Sequence, residues 1–285
     1  MIGLIYSLIV LVYITYIYFL AFTRIEKNYK KYDEPFTVII PCYNESYSNL
    51  KKCIDSIIKA KGRKQILIIN NNSDKEETLR ALAEYRWDPD VKILFETRQG
   101  KRFAHSKGLE YANNEIIVFV DSDTIVLENS LLEIIKPFQN KKIGAVCGNI
   151  KVSNRNKNLL TKCLDAMYWS SFEFYRRATT SIGYIQVCSG ALSAYRKKYV
   201  VLLEKEYLRQ KFLGSECHIS DDTFLTMRIQ SRFGKQTEFM KNAIGYTYSP
   251  STISGFWKQM IIWRKGFLRE AILVWKEPKK NIKLF

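Results

Sequence analysis

Ile116-Ile117-Val118-Phe119-Val120-Asp121-Ser122-Asp123-Thr124 is the stretch from which the rest of the chain is read. Five apolar residues, four of them β-branched, make a short strand buried on both faces. The run stops at two carboxylates one residue apart. At a strand end, such a pair is a hard-oxygen site for magnesium or manganese; its bland reading is an Asx-rich turn. The same build occurs twice upstream. Thr37 to Ile40 leads into Pro41-Cys42-Tyr43-Asn44-Glu45, and Gln65 to Ile69 leads into Asn70-Asn71-Asn72-Ser73-Asp74. Val91 to Phe95 is a fourth strand. Between the first two strands Leu50, Cys53, Ile54, Ile57 and Ile58 repeat at helical spacing, with Gly62 where a C-cap belongs. Ser73 and Glu76 have the spacing of a capping box and open a helix through Tyr85. Alternating strands and helices predict an α/β fold, a mostly parallel sheet with helices on both faces. Ligands bind such sheets beyond the carboxyl ends of the strands, where the three polar segments lie.

Other segments carry candidate chemistry. Gly100-Lys101-Arg102 precedes a helix, whose free N–H groups and positive dipole end would form an anion site with the two cations; the alternative is a solvated basic turn. Ser220-Asp221-Asp222 opens another helix. Its carboxylates serve either as caps or, functionally, as a general base for an acceptor hydroxyl. From Ser254 to Trp275, Phe256, Trp257, Met260, Ile261, Trp263, Phe267, Leu268, Ile272 and Trp275 alternate with Lys258, Arg264, Lys265 and Arg269. That reads as an amphipathic interfacial helix, or else as a helix packed on the sheet.

Ile2 to Phe22 contains no charged residue. As a helix it would span roughly 30 Å, the thickness of a bilayer core. It lacks the basic start and small-residue cleavage site of a signal peptide, so a retained transmembrane anchor is expected. Arg24, Lys27, Lys30 and Lys31 follow it, which puts the rest of a single-pass chain in the cytoplasm. The expected organisation is an anchor over 1–23, a basic linker over 24–35, one domain over 36–250, and the interfacial helix with a basic tail over 251–285.

The 285 residues suffice for one large core, and 47% hydrophobic with 26% charged residues describe a folded chain. The net charge of +17 calls for an anionic partner: a phosphorylated substrate, a lipid surface or nucleic acid. No zinc-finger spacing or RNA-recognition signature is present and the cations are scattered, which argues against nucleic acid. The six cysteines form no C-x-x-C pair and read as reduced, mostly buried thiols.

Taken in order, P-x-Y-N-E, N-N-N-S-D, G-K-R, D-S-D-T, S-G-A-L-S-A-Y-R, F-L-G…S-D-D-x-x-L-T and Q-x-x-x-W resemble the family 2 glycosyltransferases from about Phe36 to Glu270. The nearest likeness is to hyaluronan synthases, then chitin and cellulose synthases. The resemblance implies a GT-A fold and an inverting, metal-dependent transfer from a nucleotide-diphosphate sugar, a UDP-sugar by preference, with N-acetylglucosamine as the expected sugar. It puts Tyr43 and Glu45 near the nucleobase and ribose, and Lys101 and Arg102 beside the nucleotide. Asp121 and Asp123 would hold the diphosphate through a divalent metal, manganese or magnesium, with Asp123 its direct ligand. Ser189 and Gly190 would line the acceptor side. Asp222 would be the base, with Asp221 beside it, and Gln259 and Trp263 would meet a glycan or lipid-linked acceptor.

The sequence departs from the family pattern at two positions. Asn70 stands where a carboxylate is usual, and would make a weaker bond to a uracil imide. Ile262 replaces the arginine of Q-x-x-R-W, and Arg264 lies two positions further along the helix. Polymer-secreting relatives add transmembrane helices after this point, so export through a channel would need a homo-oligomer or a membrane partner. The rival reading is a non-catalytic membrane subunit of a synthase complex.

Overall fold

The structure, a computed structural model, describes residues 2–23, 27–217 and 219–277. Arg24 of the basic flank and the basic tail beyond residue 277 lie outside the described residues.

The first half of the domain is a parallel layer. Strands β1 (Phe36–Cys42), β2 (Lys64–Asn70), β3 (Val91–Phe95) and β4 (Ile116–Val120) are joined through helices α2 (Tyr47–Lys59), α3 (Glu76–Glu84) and α4 (Lys101–Tyr111). β1 and β4 are buried at every position. Helices cover both faces of a parallel sheet, so its central strands carry unbroken apolar runs rather than alternation. β1 lies between β2 and β4, with Phe36 opposite both Lys64 and Ile116. The chain therefore winds outward from β1 to β3 and returns to its other side with β4. That reversal opens a crevice beyond the carboxyl ends of β1 and β4.

The second half completes the sheet. It runs through β5 (Ile125–Val126), α5 (Ser130–Ile135), β6 (Ile143–Val152), α6 (Leu159–Trp169), a π-helical turn over Ser170–Arg176, α7 (Arg177–Thr180) and β7 (Leu192–Arg196). Then come α8 (Lys197–Arg209), a hairpin of β8 (Lys211–Phe212) and β9 (Ser215–Glu216), α9 (Asp221–Phe233), β10 (Gln236–Thr247) and α10 (Ile253–Trp275). The sheet order is β3-β2-β1-β4-β7-β6-β10-β5. β7 runs antiparallel between β4 and β6, and β5 antiparallel to β10. The sheet is thus mixed, though mostly parallel.

Two local expectations are corrected. Ser73 does not cap α3: Lys75 occupies the cap position without a side-chain bond. Ser73 instead accepts the Asn44 amide at 3.1 Å, tying the end of β1 to that of β2. Gly62 does not cap α2, which ends at Lys59 with an extended Ala60; Gly62 takes a φ of +121° in the following turn.

Helix α1 (Ile2–Thr23) is long and apolar enough to cross a membrane. Its second half lies against protein. Tyr13 Oη meets Tyr175 Oη at 3.0 Å, Ile17 is buried, and the Tyr18 and Phe174 rings are 4.7 Å apart. Residues 27–35 reach β1 without regular structure. α10 buries Gly266 and Glu270 and packs against α9, while Ile253, Trp257, Ile261, Leu268, Ile272 and Trp275 stand exposed.

Candidate active site

The crevice is lined from five directions. β1 delivers Tyr43 and Glu45, β4 delivers Asp121 and Asp123, α4 opens with Lys101, the segment before β7 supplies Ser189 and Gly190, and α9 opens with Asp221 and Asp222. Lys101 sits at the centre, its Nζ 2.6 Å from Asp121 Oδ1 and 3.4 Å from Asp221 Oδ2. Burial works against its charge, but Asp121, Asp221 and Asp222 outweigh that and hold the ammonium protonated. Burial likewise opposes ionisation of Asp221, yet Lys101 keeps that carboxyl below its usual range.

Asp222 has the opposite balance. Burial, then the neighbouring Asp221 charge, pushes it up to about 6. Its Oδ2 accepts the Gly190 amide at 3.2 Å and its Oδ1 the Thr223 amide at 2.7 Å. Two adjacent carboxyls with divergent affinities for a proton are the arrangement expected of an ion-pair partner beside a base. Gly190 lies between these groups. A Cβ there would come within 3.0 Å of Lys101 Nζ and 3.8 Å of both Asp121 Oδ2 and Asp222 Cβ.

Asp123 is raised to about 6 by burial first, then by repulsion from Asp121 and Glu45. Among the described residues, two neutral hydroxyls donate to its oxygens, Thr247 Oγ1 at 3.2 Å and Thr124 Oγ1 at 3.4 Å. Glu45 reaches the same corner, its Oε2 accepting Ser122 Oγ at 3.4 Å. These crowded hard oxygens fit a divalent cation, which would relieve the repulsion. The described residues hold no group of three His, Cys, Asp or Glu able to enclose a metal, so such an ion would take further oxygens from a ligand.

Other expected site residues are distributed differently. Tyr43 is exposed at the end of β1, open to stacking. Asn70 is buried and its Oδ1 accepts the Ser73 amide at 2.9 Å, so one acceptor position is already used within the loop. Ser189 is half-buried before β7. On α10, Trp263 is partly exposed with its ring 6.3 Å from that of Tyr168, and the buried Gln259 Oε1 has no hydrogen-bond partner. Arg264 is exposed on α10 and is not brought to the carboxylates. Arg102 is a correction. It is buried, donating to the carbonyls of Tyr207 and Ile219 and to Gln210 Oε1 at 2.9–3.1 Å, so its guanidinium is committed to the protein rather than to a nucleotide.

One neighbour escaped the sequence reading. His105, one turn after Lys101, stacks on Phe119, meets Tyr207 Oη at 2.8 Å through Nδ1, and lies 3.9 Å from Asp221. Burial drops it to about 3, so it is a neutral imidazole. Its i,i+4 relation to Lys101 was the available signal.

Comparison with known proteins bears on the family and the fold. A family model described as Glycosyl transferase family 2 matches residues 37–202. The chain is 30% identical to a hyaluronan synthase of Streptococcus pyogenes over 285 residues, covering 97% of this chain and 67% of that one. It is 28% identical to an N-acetylglucosaminyltransferase of Bradyrhizobium diazoefficiens over 243 residues, 84% of this chain and 50% of the relative. The chain spans about half the length of the rhizobial relatives it matches. In structure it is similar to a mannosyltransferase from Pyrobaculum calidifontis solved with GDP-Man and Mn2+, with TM-score 0.68 and 19% identity over 92% of this chain and 71% of that one. This likeness supports the GT-A fold.

Proposed function

The chain belongs to the family 2 glycosyltransferases, and from that premise we propose that it transfers a hexose from a UDP-sugar to a glycan or lipid-linked acceptor, with inversion. N-acetylglucosamine is the proposed sugar, in line with the name of the rhizobial relatives. The observation that carries the reading is the grouping around Gly190. A protonated Lys101 stands on one side and a raised Asp222 on the other, both at the crevice beyond the carboxyl ends of the strands.

Asp222 removes the proton from the acceptor hydroxyl. The hydroxyl oxygen bonds to the anomeric carbon as the bond to the diphosphate oxygen breaks, and that electron pair leaves with the nucleoside diphosphate. A carboxylate near 6 is a stronger base than an ordinary one and is still ionised at neutral pH. Lys101 offers a fixed positive charge where the leaving group gains negative charge. Tyr43 stacks on the base, Glu45 faces the ribose, and Trp263 carries the acceptor sugar. Asp123 and Asp121 would hold the divalent ion, manganese or magnesium, which supplies charge neutralisation to the diphosphate.

α1 would hold the enzyme on the bilayer as a single span, with the basic Lys27, Lys30 and Lys31 keeping the domain in the cytoplasm. A donor screen tests the whole reading. The protein in nanodiscs with manganese is offered UDP-, GDP- and dTDP-sugars, and nucleoside diphosphate release is recorded with and without acceptors. Turnover of a UDP-sugar, abolished by EDTA, is the expected result. Silence across the panel would overturn it in favour of a non-catalytic subunit.

A further inference from the structure

The base stands on an unusual support. Ser220, immediately before Asp221 and Asp222, adopts φ 64° and ψ 45°, and its side chain makes no capping bond. A non-glycine residue holds this left-handed conformation only when its surroundings fix it. Those surroundings come largely from α10. At Gly266 an added Cβ would overlap Ser220 Oγ and approach Ser220 Cβ to 2.5 Å, so the helix backbone lies directly on Ser220. One residue earlier, the Ile219 carbonyl accepts from two guanidinium groups, Arg269 Nη2 at 2.5 Å and Arg102 Nη2 at 3.1 Å.

Arg269 is itself fixed. Its Nε donates at 2.9 Å to Glu270, which is fully buried, accepts Gln210 Nε2 at 2.8 Å and lies 3.5 Å from Arg228 Nη1. Gln210 in turn accepts from Arg102, which closes the circuit between α4, α8, α9 and α10. A buried charge in such a network resists any slide or rotation of α10, because movement would leave it unpaired.

We propose that α10 is the positioning element of the base: Gly266 and Arg269 hold Ser220 and Ile219 so that Asp222 meets the acceptor hydroxyl. Trp263 lies one turn before Gly266. A single helix would thus carry the acceptor platform and set the distance from it to the base. The proposal rests on the reading of Asp222 as the base; its structural half, the hold on Ser220, does not.

The test uses the full chain in nanodiscs. Gly266→Ala should lower kcat about a hundredfold, the penalty of a displacement near 1 Å, and leave donor affinity unchanged. Adding Ser220→Gly removes the overlapping atoms and supplies a residue at ease at this φ, and should restore most of kcat. Arg269→Ala is the gentler second variant and should lower kcat with donor affinity kept, with partial rescue by Arg269→Lys. Unchanged kcat in Gly266→Ala overturns the proposal, as does a loss that follows Tm and is not rescued by Ser220→Gly. Hydrogen exchange over residues 219–224 reads the hold without turnover. Faster exchange in Gly266→Ala, reversed in the double variant, supports it, and unchanged exchange overturns it. A wild-type protein that turns over no donor sinks the transferase reading alone, and the exchange result still decides the hold.

Discussion

Asp222 concentrates the residue-scale chemistry. Asp222→Asn keeps the shape, can accept only one of the Gly190 and Thr223 amides, and removes the proposed base; it should cost roughly two to four orders of magnitude in kcat with donor affinity retained. Initial rates with calorimetric donor titration check this. The raised carboxyl also fixes the pH response. As the proposed base, Asp222 works only when deprotonated, so kcat/KM should climb through about pH 6 and level off above it. Stability runs the other way. The folded carboxyl binds its proton more tightly than the unfolded one, so the contribution of Asp222 to the free energy of unfolding is lost as pH rises from the ordinary carboxylate range to about 6. A pH–rate profile beside a pH series of denaturation curves would show the two opposed trends. Of the site residues, the Asp121–Asp123 and Asp221–Asp222 pairs were legible as motifs because strand end and helix start are local features. Arg102 was not, because its partners at Tyr207 and Ile219 lie 105 and 117 residues away.

At the scale of elements, α4 shows how adjacent residues diverge. Lys101 and Arg102 are neighbours in sequence, and a helix turns about 100° between neighbours, so one faces the crevice and the other the core. Arg102→Met should therefore cost about 3 kcal/mol of stability by stranding buried carbonyls, while UDP affinity in the folded protein is retained. Denaturant titration and nucleotide binding on the same preparation distinguish this from a phosphate-binding role, which would weaken binding first. α10 was legible as a helix from its periodicity. Which stripe packs inward was not, since large apolar side chains ring it and the buried positions include Gly266 and Glu270.

For the whole molecule, the sheet sets the distances, and α1 is long and apolar enough to cross a membrane. Deleting residues 1–23 should move the protein from the membrane fraction towards the soluble one, with the fold kept, because the core cluster draws its side chains from the domain. Fractionation and circular dichroism check both parts. Continued quantitative membrane attachment would show that the exposed apolar side chains of α10, Trp257 and Trp275 among them, suffice as an anchor.

The sequence alone determined the strands and helices of the first half, their parallel arrangement, the apolar N-terminal helix and the carboxylate motifs. Each rests on a short-range pattern: period 3.6, an unbroken apolar run, or a polar strand end. Only the tertiary structure decided that β7 enters antiparallel between β4 and β6, that Lys101 rather than Arg102 meets the carboxylates, and that Gly266 lies on Ser220. These facts are contacts between segments far apart in the chain, selected by packing and by the need to pair every buried charge. No local pattern encodes them.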